Sequence, residues 1–211
     1  MWIIKFDGSL WNSRRLPDWL DQIACFGPGE VVIVPGAGPL VDQISQSGWD
    51  LRETTTFPMV LHGMNQFAHM MMGLRPDLAP AESAEQIHAI LGQGRAAVWL
   101  PARDPDVVRH REQKGVSCDS LSASLARRLP ADCLFLVKKH ALESGPVSSE
   151  WLARKLMVDE AFPKMLSEIP CTTWVGSVAD HRTIRQMLYS RVVSGTPVIA
   201  GPGADKGTPE G

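Results

Sequence analysis

The sequence predicts a three-layer α/β domain, a mainly parallel sheet covered by helices on both faces. Two observations carry this. Short apolar runs alternate with longer amphipathic stretches almost from end to end. The short runs are bounded by glycine, proline or charge, and several of the longer stretches open on proline or a capping residue, as helix starts do. There is no internal repeat and no heptad.

In chain order, a strand over 2–6 closes at Asp7-Gly8, and a helix over 17–25 opens on Pro17. The strand over 30–35 holds four consecutive valine or isoleucine residues, Val31 to Val34, and the helix over 39–47 opens on Pro39. Helices follow over 58–74, opening on Pro58, and over 84–91, then a strand over 96–100. The helix over 119–129 sets Leu121, Leu125 and Leu129 on one face, with Asp119 as its natural N-cap. A strand over 133–138, one long helix over 149–168, a strand over 172–175, a helix over 180–193 and a strand over 197–200 complete the domain, residues 1–200. Residues 201–211, rich in glycine and proline with nothing to bury, read as a flexible tail.

Composition narrows the functional classes. With 44% hydrophobic and 21% charged residues among 211, the chain can bury a core, which excludes a disordered protein. Lysine plus arginine is 21 against 23 acidic residues, net −2, with no strongly basic stretch, so nucleic acid is not an expected partner. No apolar run approaches the roughly 20 residues that cross a bilayer, and the opening is too short for a signal-peptide core. The expectation is a soluble cytoplasmic protein without a membrane partner. Cys25, Cys118, Cys133 and Cys171 form no CxxC pair, which excludes a zinc finger and leaves them as reduced, small apolar residues. His62 and His69 lie seven apart among methionines, but no carboxylate or cysteine completes a ligand set, and no metal site is expected there.

Four segments carry chemistry. Lys5 leaves the first strand three residues before Gly8-Ser9, a turn whose glycine admits an anion, whose serine can donate, and whose lysine can neutralise a phosphoryl group. The Gly36-Ala37-Gly38 turn joins a buried strand to a helix start, again suited to an anion. It lacks the full G-x-G-x-x-G, so a nicotinamide-dependent oxidoreductase is poorly supported, and no Walker A motif occurs. Asp119 reads two ways: as a helix cap, or as a carboxylate that orients lysines without transferring a proton. Lys164 follows Pro163 in helical sequence. Arg109 and Arg111 flank His110 in a polar loop and could clamp an anionic acceptor.

Taken in order, Lys-x-x-Gly-Ser, Pro-Gly-Ala-Gly-Pro, Ser-Cys-Asp-Ser and Phe-Pro-Lys resemble the amino acid kinase family. Within it, residues 57–68 and 156–163 look most like the small kinases of methanofuran biosynthesis and their methylotroph relatives. The resemblance implies ATP-dependent transfer, with Mg²⁺, of the γ-phosphoryl group to a small phosphorylated acceptor such as a furan methyl phosphate, in a protein that self-associates. It gives catalysis to Lys5, Asp119 and Lys164, and phosphate or nucleotide contacts to Gly8, Ser9, Gly36, Ala37, Gly38, Lys138 and His140. Asn65, Arg109 and Arg111 are the expected acceptor contacts. The nucleotide-side motif departs from the family, reading Val137-Lys138-Lys139-His140-Ala141 without the usual aspartate and glycine. A non-catalytic protein that holds nucleotide or oxoanion on the same fold therefore stands as the alternative.

Overall fold

A computed structural model describes residues 1–142 and 145–201; the expected tail beyond Gly201 lies outside the described residues. Its centre is one eight-stranded sheet. In chain order the elements are β1 (Trp2–Phe6), α1 (Leu16–Phe26), β2 (Val31–Val34), α2 (Gly38–Gln46), α3 (Glu53–Leu74), β3 (Ala79–Ala81), α4 (Ala84–Gly92) and β4 (Ala97–Trp99). There follow α5 (Cys118–Arg128), β5 (Cys133–Lys138), β6 (Val147–Ser148), α6 (Ser149–Arg154), α7 (Phe162–Leu166), β7 (Thr172–Ser177), α8 (Ile184–Ser190) and β8 (Thr196–Ile199). The strand order is β3-β4-β2-β1-β5-β7-β8-β6. Every pairing is parallel except β7 with β8. No helix among the described residues is long and apolar enough to cross a membrane.

Strand alternation sends β1 into two cores. Trp2, Ile4 and Phe6 join Trp19, Leu20 and Ile23 of α1 and Ile184, Met187 and Leu188 of α8 on one face. Ile3 joins Leu121 and Leu125 of α5, Leu152 of α6 and Phe162 of α7 on the other. β5 repeats the pattern: Leu134 and Leu136 face the α5 side and Phe135 and Val137 the α1 side. By the same period Lys5 and Lys138 both belong to the α5 side, at the carboxyl ends of neighbouring strands.

All six expected strands are present, and two further ones appear. β3 carries Pro80 and sits at the sheet edge, where a missing N–H costs no ladder bond. β6 is too short to leave a periodic signal. The expected helix over 149–168 is broken: α6 ends at Arg154, Leu156 takes the left-handed conformation at φ 56°, and Pro163 opens α7. The expected helix over 180–193 begins as a tight 3-10 segment, Val178–Thr183, before α8. In α5 the N-cap is Ser117 and not Asp119. The Ser117 N–H donates to Ser120 Oγ at 3.1 Å, so Asp119 lies inside the first turn with its carboxylate released from capping.

α5 is fixed at both ends. The Ser120 N–H donates to Asp159 Oδ2 at 2.9 Å, and at the far end Arg128 meets the buried Asp104 through two bonds of 3.2 and 2.9 Å. That anchoring sets where Asp119 stands over the sheet.

Close approach of β5 and β7 depends on Gly176, where a Cβ would fall 2.3 Å from the Phe135 ring. Gly176→Ala is expected to cost about 1–3 kcal/mol through displacement of that buried ring. Thermal unfolding should show it as a fall in Tm of about 2–4 °C per kcal/mol.

Candidate active site

Four charged side chains meet at the carboxyl ends of β1 and β5. Lys5 is fully buried and its Nζ donates to Asp119 Oδ1 from below the first turn of α5. Lys138 is 5% exposed; its Nζ donates to the same Asp119 oxygen at 3.1 Å and to Asp7 Oδ2 at 2.8 Å. Lys5 Nζ lies 3.9 Å from that Asp7 oxygen, which closes the ring. Burial opposes the charge on Lys5, but Asp119 and Asp7 outweigh it and hold its pKa above the usual lysine value. Burial opposes the charge on Asp7 as well, yet Lys5 and Lys138 keep its carboxyl well below the ordinary aspartate range. The cluster thus sets two lysines against two carboxylates.

Beside it lies a backbone cradle. The Pro35-Gly36-Ala37 turn carries the chain from β2 into α2, whose cap residue Ala37 offers no side-chain hydrogen bond to the first N–H groups of the helix. The turn presses against Gly8: a Cβ on Gly36 would fall 2.2 Å from the Gly8 nitrogen, and one on Gly8 would fall 2.8 Å from the Gly38 nitrogen. Only glycine permits this contact, and it brings the α2 N-terminus up to the lysines.

A cavity of about 690 Å³ is lined by Lys5, Asp7, Asp119, Gly8 and Ala37 together with Ala153, Arg154 and residues 156–160, which bring both apolar and charged side chains to it. Asp159 lines it. Burial, with the charge of Asp119 adding to it, pushes the Asp159 carboxyl up to about 6. Its Oδ1 is buried without a hydrogen-bond partner among the described residues. Among the same residues no three His, Cys, Asp or Glu side chains gather into a metal site.

No family model matches the chain, and no curated protein matches it in sequence. Solved structures do. The uridylate kinase of Archaeoglobus fulgidus is similar over 94% of this chain and 100% of its own, with a TM-score of 0.66 and 16% identity. This chain has the amino acid kinase fold. An aspartate kinase from Synechocystis matches 97% of it with a TM-score of 0.66 at 14% identity, this chain spanning 40% of that longer one. An isopentenyl phosphate kinase matches 94% with a TM-score of 0.57, again at 14% identity.

On the amino acid kinase fold the residues singled out from sequence separate into two groups. Lys5, Asp119, Lys138, Gly8, Gly36, Ala37 and Gly38 converge at the cluster and cradle. Ser9 stands beside them but its N–H and hydroxyl both donate to Asp7 Oδ1, at 3.0 and 2.9 Å, so it serves the turn. Lys164 is exposed on α7 and lines a neighbouring recess of about 520 Å³ with His110, Lys114 and Arg127; the lysine that shares Asp119 with Lys5 is Lys138. His140 is exposed beyond β5. Asn65 on α3 spends its Oδ1 on the Ala102 N–H at 3.2 Å, a structural tie. Arg109 is exposed and pairs with Asp106 at 3.0 Å, and Arg111 is exposed. His62 and His69 are both exposed on α3.

Asp7 and Asp159 were not singled out from sequence. Asp7 had a signal, since it follows Lys5 by two, one residue past the strand end in still extended backbone, and so keeps to the same face. Asp159 had none, because it reaches α5 only after the chain breaks at Leu156.

A carboxyl more easily protonated in the fold than in the unfolded chain stabilises the fold below its unfolded pKa of 3.8 and loses that contribution as pH rises through 6. Asp159→Asn keeps an oxygen for the Ser120 N–H and removes the charge. It is expected to raise Tm by roughly 2–4 °C at pH 8 and to leave it unchanged near pH 4, as followed by thermal unfolding across pH.

Proposed function

We propose that this protein transfers the γ-phosphoryl group of Mg·ATP to a small anionic acceptor. One observation carries the reading: two buried lysines at the carboxyl ends of adjacent strands share one carboxylate, beside a glycine cradle with uncovered N–H groups. In the proposed reaction an acceptor oxygen forms a bond to the γ-phosphorus, the bond from that phosphorus to the bridging oxygen breaks, and ADP leaves with its electron pair. Lys5 and Lys138 compensate the charge of the phosphoryl oxygens while Asp119 holds both ammonium groups in place and takes no proton. The α2 N-terminus and Gly8 receive a phosphate of the acceptor.

Both carboxylates of the cluster are bound to lysines, which suits an acceptor that brings its own ionised oxygen, a phosphate monoester, over an alcohol that must lose a proton. Residues 57–68 and 156–163 support the finer proposal of a furan methyl phosphate in methanofuran or methylofuran formation, carried by the resemblance of those segments alone. Mg²⁺ would arrive with the nucleotide, most of its oxygen ligands coming from the phosphates and Asp7 and Asp119 being the carboxylates at hand, and it would draw charge from the phosphate oxygens.

The second reading, a protein that holds nucleotide without transfer, draws on the altered sequence after Lys138. An ADP-release assay with phosphorylated acceptors separates the two. Lys5→Met, which fills the volume without the charge, and Asp119→Asn are each expected to lower kcat by about 10²–10³-fold with the fold retained by circular dichroism. Lys138→Met should match them. A loss of the same size in Lys164→Ala, with Lys138→Met active, would give the second lysine's role to Lys164.

A further inference from the structure

The carboxylates that line the cavity are not equally engaged. Both oxygens of Asp7 are taken, Oδ1 by the Ser9 N–H and hydroxyl and Oδ2 by Lys138. Asp119 gives its Oδ1 to Lys5 and Lys138 together. Asp159 differs. Its Oδ2 accepts the Ser120 N–H at 2.9 Å, while its Oδ1 is buried with no hydrogen-bond partner among the described residues. An oxygen left this way bears its desolvation penalty without return, and such an atom marks strain, catalysis or the place of an ion. The chain goes out of its way to deliver the group, since Asp159 follows a helix broken by a leucine in the left-handed conformation. Conflicts of this kind gather at functional sites.

Charge points the same way. Asp7, Asp119, Asp159 and Glu160 all line the cavity. Against them stand Lys5 and Arg154, with Lys138 joined to the floor through Asp7 and Asp119. Three basic groups thus face four acidic ones before any phosphate enters, and a nucleotide brings further negative charge. Asp159 is held by Ser120, the neighbour of Asp119, and lines both this cavity and an adjoining recess of about 290 Å³. A hydroxyl donor would satisfy Oδ1 and leave the charge unanswered. A divalent cation answers both, and it needs only one or two carboxylates, its other oxygens coming from phosphates and water. The Ser120 N–H on Oδ2 supplies the outer hydrogen bond that fixes the orientation of a ligating carboxylate.

Resting on the phosphotransfer reading, we propose that Asp159 Oδ1 is the protein's ligand for the divalent cation that travels with the nucleotide. Asp159 brings to the cation an oxygen that no lysine holds, and through it the binding of metal and nucleotide become coupled.

The test is calorimetric titration with the non-hydrolysable ATP analogue adenylyl imidodiphosphate, in Mg²⁺ and in EDTA. In the intact chain Mg²⁺ should tighten binding of the analogue by about tenfold or more. Asp159→Asn, which keeps an oxygen for the Ser120 N–H, should lose most of that gain, with its affinity for the metal-free analogue unchanged or raised. Glu160→Gln removes a neighbouring charge from the same lining and should keep the gain. Asp159→Cys offers a soft thiolate and should bind the analogue more tightly with Cd²⁺ than with Mg²⁺, a reversal that a merely structural role does not produce. The proposal is overturned by a Mg²⁺ gain as large in Asp159→Asn as in the intact chain, or by no gain in either. An equal loss in Asp159→Asn and Glu160→Gln also overturns it, because the general charge of the lining then suffices. Titration needs no turnover, so the two readings fail separately. A Mg²⁺ gain lost in Asp159→Asn, with no ADP release from ATP on any phosphorylated acceptor, keeps the metal ligand and removes the phosphotransfer reading. ADP release with the gain intact in Asp159→Asn does the reverse.

Discussion

Two ammonium groups on one carboxylate oxygen, inside the protein, are the constraint that the surrounding structure answers. Taking four charges out of water costs several kcal/mol per ion, returned only where geometry and hydrogen bonding are good. The ring of Lys5, Asp119, Lys138 and Asp7 sums to zero charge and leaves each ammonium with carboxylate partners. Its geometry is set from three directions. β1 and β5 fix the lysines through parallel register, the turn at Gly8 fixes Asp7, and α5 fixes Asp119. Loss of any one would strand a buried charge, so the sheet ends, the turn at Gly8 and the helix start are coupled through the cluster.

That coupling explains why α5 is tied so firmly. An N-terminal turn held only by its own backbone frays, and fraying here would release Asp119. Asp159 prevents it by accepting the Ser120 N–H, but it does so with a carboxylate set in a buried place beside another carboxylate. The protein thus carries a destabilising group where it needs a rigid one, a pattern that belongs to sites and not to scaffolds.

The part legible in the sequence is the part that repeats a period. β1, β2 and β5 read directly, because apolar runs bounded by glycine, proline or charge mark buried parallel strands, and Lys5, Asp119 and the Gly36 to Gly38 turn stood out because each sits where a strand ends or a helix begins. What escaped depended on contacts between distant segments. The 149–168 stretch has helical composition throughout, and nothing local announces that it breaks at a leucine; the break is stabilised by the Leu152 and Ala153 carbonyls and by the seating of Phe162 in the core. Asp159 follows from that break, and so does the exposure of Lys164. Ser117 displaced Asp119 as the cap because Ser120 could answer its N–H, a choice between adjacent polar residues that the pattern leaves open.

The same distinction accounts for a fold shared at 14–16% identity with kinases of different substrates. A parallel sheet asks of most positions only that they be apolar and alternate correctly, and many sequences satisfy that. The glycine contact asks more, since a Cβ at Gly36 would meet the Gly8 nitrogen at 2.2 Å and push α2 away from the lysines. The cluster asks for charge in balance. On the wall over the cavity the second demand reaches Asp159, which accepts the Ser120 N–H of α5 and feels the charge of Asp119. A fold built this way can hold its charged floor constant and change what lies above it. In this chain what lies above it includes Arg154, Asp159 and Glu160, and Leu156 in a conformation that glycine would occupy without strain.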